Sequence, residues 1–274
     1  MRQKQTLFMN TKGKNNQTKT SAILVLSCDK YQDLWNPFFR LFDTHWPTCP
    51  YYIYLGSNTI RMDHTKVQMV LSGKDHYWSS SLYTMLEKMP YTYIFLWLDD
   101  IFLTAPVESE KFDECFQFME KTGANHIHMH PKPLPNSILS GGPFGIYEKG
   151  MPYRVNALGF WRVAYLKKLL LRGENPWNFE IMGSYRSSYD DGFYCINEPL
   201  FSSLHMVEKG KYFSQAFEYC KNHHIHLDGK RAVLRYQSGF QSLLQAGYFT
   251  LMMHMSWRRR VSIMNTLRKL FISY

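Results

Sequence analysis

Acidic residues are missing from both ends of this chain. Residues 1–28 carry Arg2, Lys4, Lys12, Lys14 and Lys19 with no Asp or Glu, and residues 229–274 carry eight Lys or Arg, again with none. Of the net charge of +10, the two ends hold +5 and +8, which leaves −3 for residues 29–228. An acidic body with basic ends, and aromatics that are not interleaved with basic residues, argues against a nucleic-acid-binding surface despite the pI of 9.3. Paired cysteines are also missing. Cys28, Cys49, Cys115, Cys195 and Cys220 are odd in number and nowhere spaced C-x-x-C, so neither a disulfide framework nor a zinc ribbon is expected, and a reducing compartment is. No long apolar run occurs. The longest uncharged stretch, Tyr236 to Trp257, is interrupted by three Gln and by Ser, Gly and His, which makes it a poor membrane span. The first apolar stretch, AILVLS, is strand-sized and no signal-peptide core precedes it, so a cytoplasmic protein is expected. Neither a G-x-G-x-x-G nor a G-x-x-x-x-G-K-[ST] loop is present, and SGGPFG (140–145) lacks the strand-loop-helix setting of a phosphate loop.

What is present is a chain of 274 residues, 45% apolar, enough to bury a substantial core. After a polar arm over residues 1–20 that reads as disordered, SAILVLSC (21–28) is predicted as a buried strand and DKYQDLWNPFFRLFDTHWP as a loop and helix ending before Pro47. YYIYLGSN (51–58) and VQMVLSG (67–73) read as strands. WSSSLYTMLEKMP (78–90) places Leu82, Met85, Leu86 and Met89 on one helical face and stops at Pro90. YIFLWLDD follows as a fourth strand. Strands alternating with helices over short connections predict an α/β domain with a mainly parallel sheet, whose ligands bind beyond the carboxyl ends of the strands. Two polar clusters lie at that edge: SCDKYQD after the first strand, and Asp99 with Asp100 after the fourth. Ionised carboxylates at the tip of so apolar a strand are costly unless a cation or donor meets them, which marks them as a site.

ILVLSCDKYQDLW, YYIYLGSN, DHYWSSSLYTMLEKMPYTYIFLWLDDIFL and NALGFWRVAYLKKLLLRGENPWNFE, in that order and spacing, resemble bacterial glycosyltransferases of the GT-A fold from capsule and lipopolysaccharide loci, over roughly residues 21–190. The resemblance implies a GT-A-like, Rossmann-like sheet flanked by helices over residues 21–228, a nucleotide-sugar-binding half at 21–105 and an acceptor-binding half at 106–228. The implied donor is a nucleotide-sugar, a UDP-sugar foremost, and the implied acceptor a lipid-linked or growing oligosaccharide. In this family an Asp-x-Asp motif holds Mn²⁺ or Mg²⁺ against the donor diphosphate. Here the acids are adjacent, and because neighbouring strand residues face opposite ways, Asp100 is the expected metal ligand, with Asp99 touching ribose or a backbone donor. The resemblance further places Ser27, Cys28, Asp29 and Tyr31 around the nucleoside, with Asp75 and Trp78 as weaker donor-side candidates. It implies a carboxylate base for inverting transfer, Glu180 first and Glu174 in reserve. Asp29 also suits a helix cap, Trp78 core packing, and Arg154, Arg162, Arg186 and Trp177 either acceptor contacts or surface packing.

HIHMH (126–130) and HHIH (223–226) lack the cysteine or carboxylate spacing of a zinc site. Residues 229–274 read as a basic helical extension, with helices at about 231–255 and 257–272. In the second, Trp257, Val261, Met264, Leu267 and Phe271 share one face and Arg258, Arg259, Arg268 and Lys269 surround the other, the pattern of a helix lying on an anionic membrane. No obligate protein partner is inferred. Two other readings remain open on the residues: a basic, aromatic nucleic-acid-binding protein, and a metal-dependent phosphoesterase using Asp99 and Asp100.

Overall fold

Six residues in succession, SAILVL, are buried in β1 (Ser21–Leu26), which happens only where both faces of a strand are covered. The computed structural model describes residues 20–74, 77–208, 210–227, 231–234 and 239–271. From β1 a short 3-10 turn leads into α1 (Gln32–His45), followed by β2 (Tyr52–Ser57), β3 (Val67–Leu71), α2 (Trp78–Glu87) and β4 (Tyr93–Leu98). β5 (Ile101–Leu103), α3 (Ser109–Thr122), β6 (His126–His128), β7 (Ser137–Ile138), β8 (Phe144–Ile146) and β9 (Gly159–Arg162) come next. Then follow α4 (Val163–Leu169), α5 (Pro176–Arg186) and β10 (Phe193–Ile196).

The central sheet has the order β3-β2-β1-β4-β9-β6-β10-β8-β7. β8 and β9 run against the other strands, so the domain is α/β with a large, mostly parallel sheet flanked by helices. From β1 the chain steps outward to β2 and β3, then returns to place β4 on the other side of β1. That reversal sets the switch point of the sheet at the carboxyl ends of β1 and β4, where such sheets bind ligands.

One face of the sheet is covered by α1 and α3, whose Trp35, Phe38, Phe42, Phe112 and Phe116 meet Phe95, Trp97 and Phe160 from the strands. Phe95 and Phe160 pack edge to face with centroids 4.7 Å apart. Each such ring contributes about 1.5–3 kcal/mol by leaving water. On the other face Leu82, Met85 and Leu86 of α2 are buried, as the periodicity predicts. A Cβ at Gly56 of β2 would come within 2.5 Å of the Met85 sulfur, so glycine lets α2 seat closely there. α3 ends where Gly123 adopts φ +67, a left-handed cap that side chains disfavour. α5 starts where Asn175 accepts the Asn178 amide at 2.8 Å and Pro176 takes the first helical position.

Beyond β10 the architecture is of short pieces: β11 (Ser203–His205), β12 (Val207–Glu208), β13 (Lys211–Phe213), α6 (Ser214–Asn222), β14 (Val233–Leu234), α7 (Gly239–Met253) and α8 (Trp257–Phe271). The sequence predicts one helix over about 231–255. Instead Val233 and Leu234 pair with Tyr212 and Phe213, and the helix begins at Gly239. The β-branched Val233 suits the pairing, and Arg231 just before it is clamped by Asp33 of α1. α8 does not present its whole apolar stripe outward. Val261 is 4% exposed and lies against Gly150. Arg260, 2% exposed, donates to the Met252 carbonyl at 2.7 Å and to Glu148 at 3.2 Å. Residues 1–19 lie outside the described residues.

Candidate active site

The two carboxylates have separate surroundings. Asp99 is only 7% exposed. Its carboxylate accepts from the Ser27 hydroxyl, which in turn accepts from the Trp35 indole N–H at 2.6 Å. The Asp99 amide donates to the Leu26 carbonyl at 3.3 Å. The acid thus ties β4 to β1 and α1. Burial first, and the neighbouring Asp100 second, push its pKa well above the ordinary carboxylate range, against the Ser27 bond. Asp99 is expected to touch ribose or a backbone donor, but in this structure its side chain bonds to Ser27.

Asp100 is less enclosed, with its side chain 16% exposed. Its carboxylate lies 3.0 Å from Nε2 of His205, whose side chain is 47% exposed. The pairing follows from topology: β5 and β11 run antiparallel with Ile101 opposite His205, and the Met206 amide donates to the Asp100 carbonyl at 2.7 Å. Burial lowers the His205 pKa, but Asp100 and then Glu208 outweigh it and the net shift is upward.

Tyr31 and Cys28 stand close to the same carboxylates. The Arg231 guanidinium sits 4.4 Å from the centroid of the Tyr31 ring and holds Asp33 through Nε and Nη2, each at 2.6 Å. Burial, then the nearby Asp99 charge, raises the Cys28 thiol pKa. Asp29 is engaged elsewhere. Its carboxylate accepts from the amides of Asn58 at 3.0 Å, Thr59 at 3.0 Å and Ile60 at 3.1 Å, and from the Thr59 hydroxyl at 2.6 Å. These donors hold its pKa below the usual range despite an opposing desolvation. Asp29 therefore locks the loop after β2 to the loop after β1, and its lone pairs are largely taken.

The two candidate bases also separate. Glu174 forms a bidentate ion pair with Arg186 at 2.6 and 2.9 Å, and its backbone bonds to Ser79. Among the described residues no cation pairs with Glu180. Oε1 accepts from the Ala157 amide at 3.3 Å, and burial pushes its pKa up to about 7, the amide pulling the other way. The register of β4 with β9 sets Leu96 beside Gly159. Ala157, two residues before Gly159, is therefore level with Leu98, the last residue of β4, next to the end that carries Asp99 and Asp100. Glu174→Gln is expected to cost about 1–3 kcal/mol of stability by leaving Arg186 without its partner, with transfer per folded molecule near the parent value. Chemical denaturation beside an activity assay checks this, and a lost rate with an unchanged midpoint would return Glu174 to the chemistry.

Trp78 packs on Phe179 with ring centroids 5.3 Å apart, a core contact. Asp75 lies outside the described residues. His126 and His128 are buried. Burial holds the His126 pKa down to about 3, its ring stacks 3.9 Å from Trp161, and Nδ1 donates to the Phe160 carbonyl at 2.9 Å, so it is a neutral packing element. Arg154 is likewise buried, donating to the carbonyls of Glu148 and Asp190 at 3.2 and 3.0 Å. Residues that the sequence does not flag for the site are His205, Asp33 and Tyr212, and the sequence places Arg231 in the C-terminal extension. His205 meets Asp100, and Tyr212 and Arg231 meet Asp33, across 100 or more positions, and the three-residue strands that carry His205 and Tyr212 have no periodicity that would announce them.

No family model matches the chain, and no curated protein matches it. Among solved structures, S. aureus TarS 1-349 in complex with UDP is 9% identical over 84% of this chain and 70% of that one, with a TM-score of 0.44. Mannosyltransferase PcManGT from Pyrobaculum calidifontis, in complex with GDP-Man and Mn2+, is 11% identical over 93% of this chain and 76% of that one, with a TM-score of 0.46. A further structure of S. aureus TarS is 10% identical over 65% of this chain, which spans 37% of that protein's chain, with a TM-score of 0.37. Likenesses of this strength leave the chemistry of this chain to its own residues.

Proposed function

We propose that the chain is a glycosyltransferase that moves a sugar from a nucleotide-sugar donor, a UDP-sugar foremost, to a hydroxyl of a lipid-linked or growing glycan acceptor with inversion. What supports this reading is a pair of carboxylates toward the carboxyl end of β4: Asp100, which meets the half-exposed His205, and Glu180, which accepts from the Ala157 amide, has no cation paired to it among the described residues, and has a pKa pushed up to about 7. The first suits a charged leaving group and its counter-ion, the second a proton acceptor.

Among the described residues no three His, Cys, Asp or Glu side chains gather as a metal cluster. Mg²⁺ and Mn²⁺ are commonly held by one or two protein groups, with phosphates and water completing the shell, and the Asp100 and His205 pair at 3.0 Å fits that need. Asp100 and His205 would hold the ion, while Asp99, engaged by Ser27, would not. When bound, the ion supplies positive charge to the departing nucleoside diphosphate. Tyr31 offers a ring face to the base or ribose. Arg231 adds a fixed cation beside Asp99. Glu180 takes the proton from the acceptor hydroxyl. A two-metal phosphoesterase requires a denser set of acids than this.

A thermal-shift series with UDP, GDP, CMP and dTDP, each with and without Mn²⁺, tests the donor site. One diphosphate is expected to stabilise the chain by about 2.7 kcal/mol at roughly a hundredfold excess over Kd. Indifference to all four would sink the proposal.

A further inference from the structure

We infer that α7 and the start of α8 form a surface that binds an anionic lipid bilayer, lying on it rather than crossing it. α7, GFQSLLQAGYFTLMM, has no charged side chain, yet Leu244 is 59% and Leu251 57% exposed. They are seven residues apart, two helical turns, and so lie on one side of the helix. Gly247 between them is also exposed. Immediately after the connection, Arg258 and Arg259 are exposed, and among the described residues no carboxylate pairs with either. Not one Asp or Glu occurs from 229 to 274.

Exposed leucines beside unneutralised arginines fit lipid better than the other occupants. A nucleic acid would use the arginines but gains nothing from an uncharged leucine face. A second copy of this chain would bring the same positive charges against one another. An anionic leaflet meets both features, the leucines entering the acyl boundary and the arginines the headgroups. Among the described residues no helix is long and apolar enough to cross a membrane. The structure also alters which residues do this. Val261, on the stripe that the sequence assigns to lipid, is turned against Gly150, Leu267 of the same stripe is 36% exposed, and the two more fully exposed leucines are on α7.

The experiment is co-sedimentation of the full chain with vesicles of phosphatidylcholine, alone or mixed with phosphatidylglycerol, at low and high salt. Binding is expected only with phosphatidylglycerol and is weakened by salt. Leu244→Ser with Leu251→Ser, and separately Arg258→Glu with Arg259→Glu, should each lower the partition coefficient about tenfold or more. Circular dichroism and the thermal midpoint confirm that these surface variants fold. Any of four outcomes overturns the inference: equal binding to neutral vesicles, no vesicle binding, variants that bind like the parent, or a dimer in light scattering that the leucine changes abolish while vesicles are ignored. Vesicle binding needs neither donor nor turnover, so its failure is distinguishable from failure of the transferase proposal.

Discussion

On the proposed function, Asp100→Ala is expected to lower kcat/KM for sugar transfer about 10²- to 10³-fold, the loss expected when one preorganised charged group at a reacting centre is removed, and to erase the donor-dependent rise in Tm. The fold survives, because the Asp100 side chain stands on a turn and meets His205, itself 47% exposed, so no buried group is orphaned. Asp99→Ala is the contrasting variant. It strips the acceptor from a buried chain running from Trp35 through Ser27, and leaving such a donor unpaired costs about 1–3 kcal/mol. Thermal denaturation with and without the preferred diphosphate therefore separates them, Asp99→Ala moving the ligand-free midpoint and Asp100→Ala the shift. If Asp100→Ala keeps its full diphosphate response, the carboxyl edge at β1 and β4 is not the donor site.

Glu180→Gln should be as damaging to turnover, about 10²- to 10⁴-fold, the usual contribution of a general base, with diphosphate binding retained. Its pH dependence is the stricter test. A base must be ionised to act, and burial has raised this one to about 7, so the parent rate climbs through neutrality and levels off above it. Stability runs the opposite way. A carboxyl whose folded pKa is raised favours the protonated form, so ionisation penalises the folded state increasingly from the ordinary Glu range up to about 7 and constantly beyond. Glu180→Gln, neutral at every pH, is then more stable than the parent above pH 7 and equal to it in acid. An unchanged rate together with a pH-independent difference in midpoint would remove Glu180 from the mechanism.

The apolar runs of β1 and β4 and the face of α2 were legible because burial on both sides, or on one helical stripe, dictates composition at period two or 3.6. The carboxyl edge of the sheet was legible for the same reason, since strands alternating with helices leave polar residues where strands end. Asp99 and Asp100 stood out because charge beside YIFLWL requires a partner. The division of labour within each pair was not legible. Asp29 is taken up by the amides of residues 58–60, Glu174 by Arg186, and Asp99 by Ser27.

Local pattern, then, set the α/β class, the strand ends and the positions of the acids, because propensity and hydrophobic period act over a few residues. Which acid is less enclosed, which is held near neutrality and which is spent on structure came only with the tertiary arrangement. A carboxylate's pKa and reach depend on burial and on donors brought from distant segments, as with Asp100 and His205, 105 positions apart. Spacing along the chain does not encode those distances.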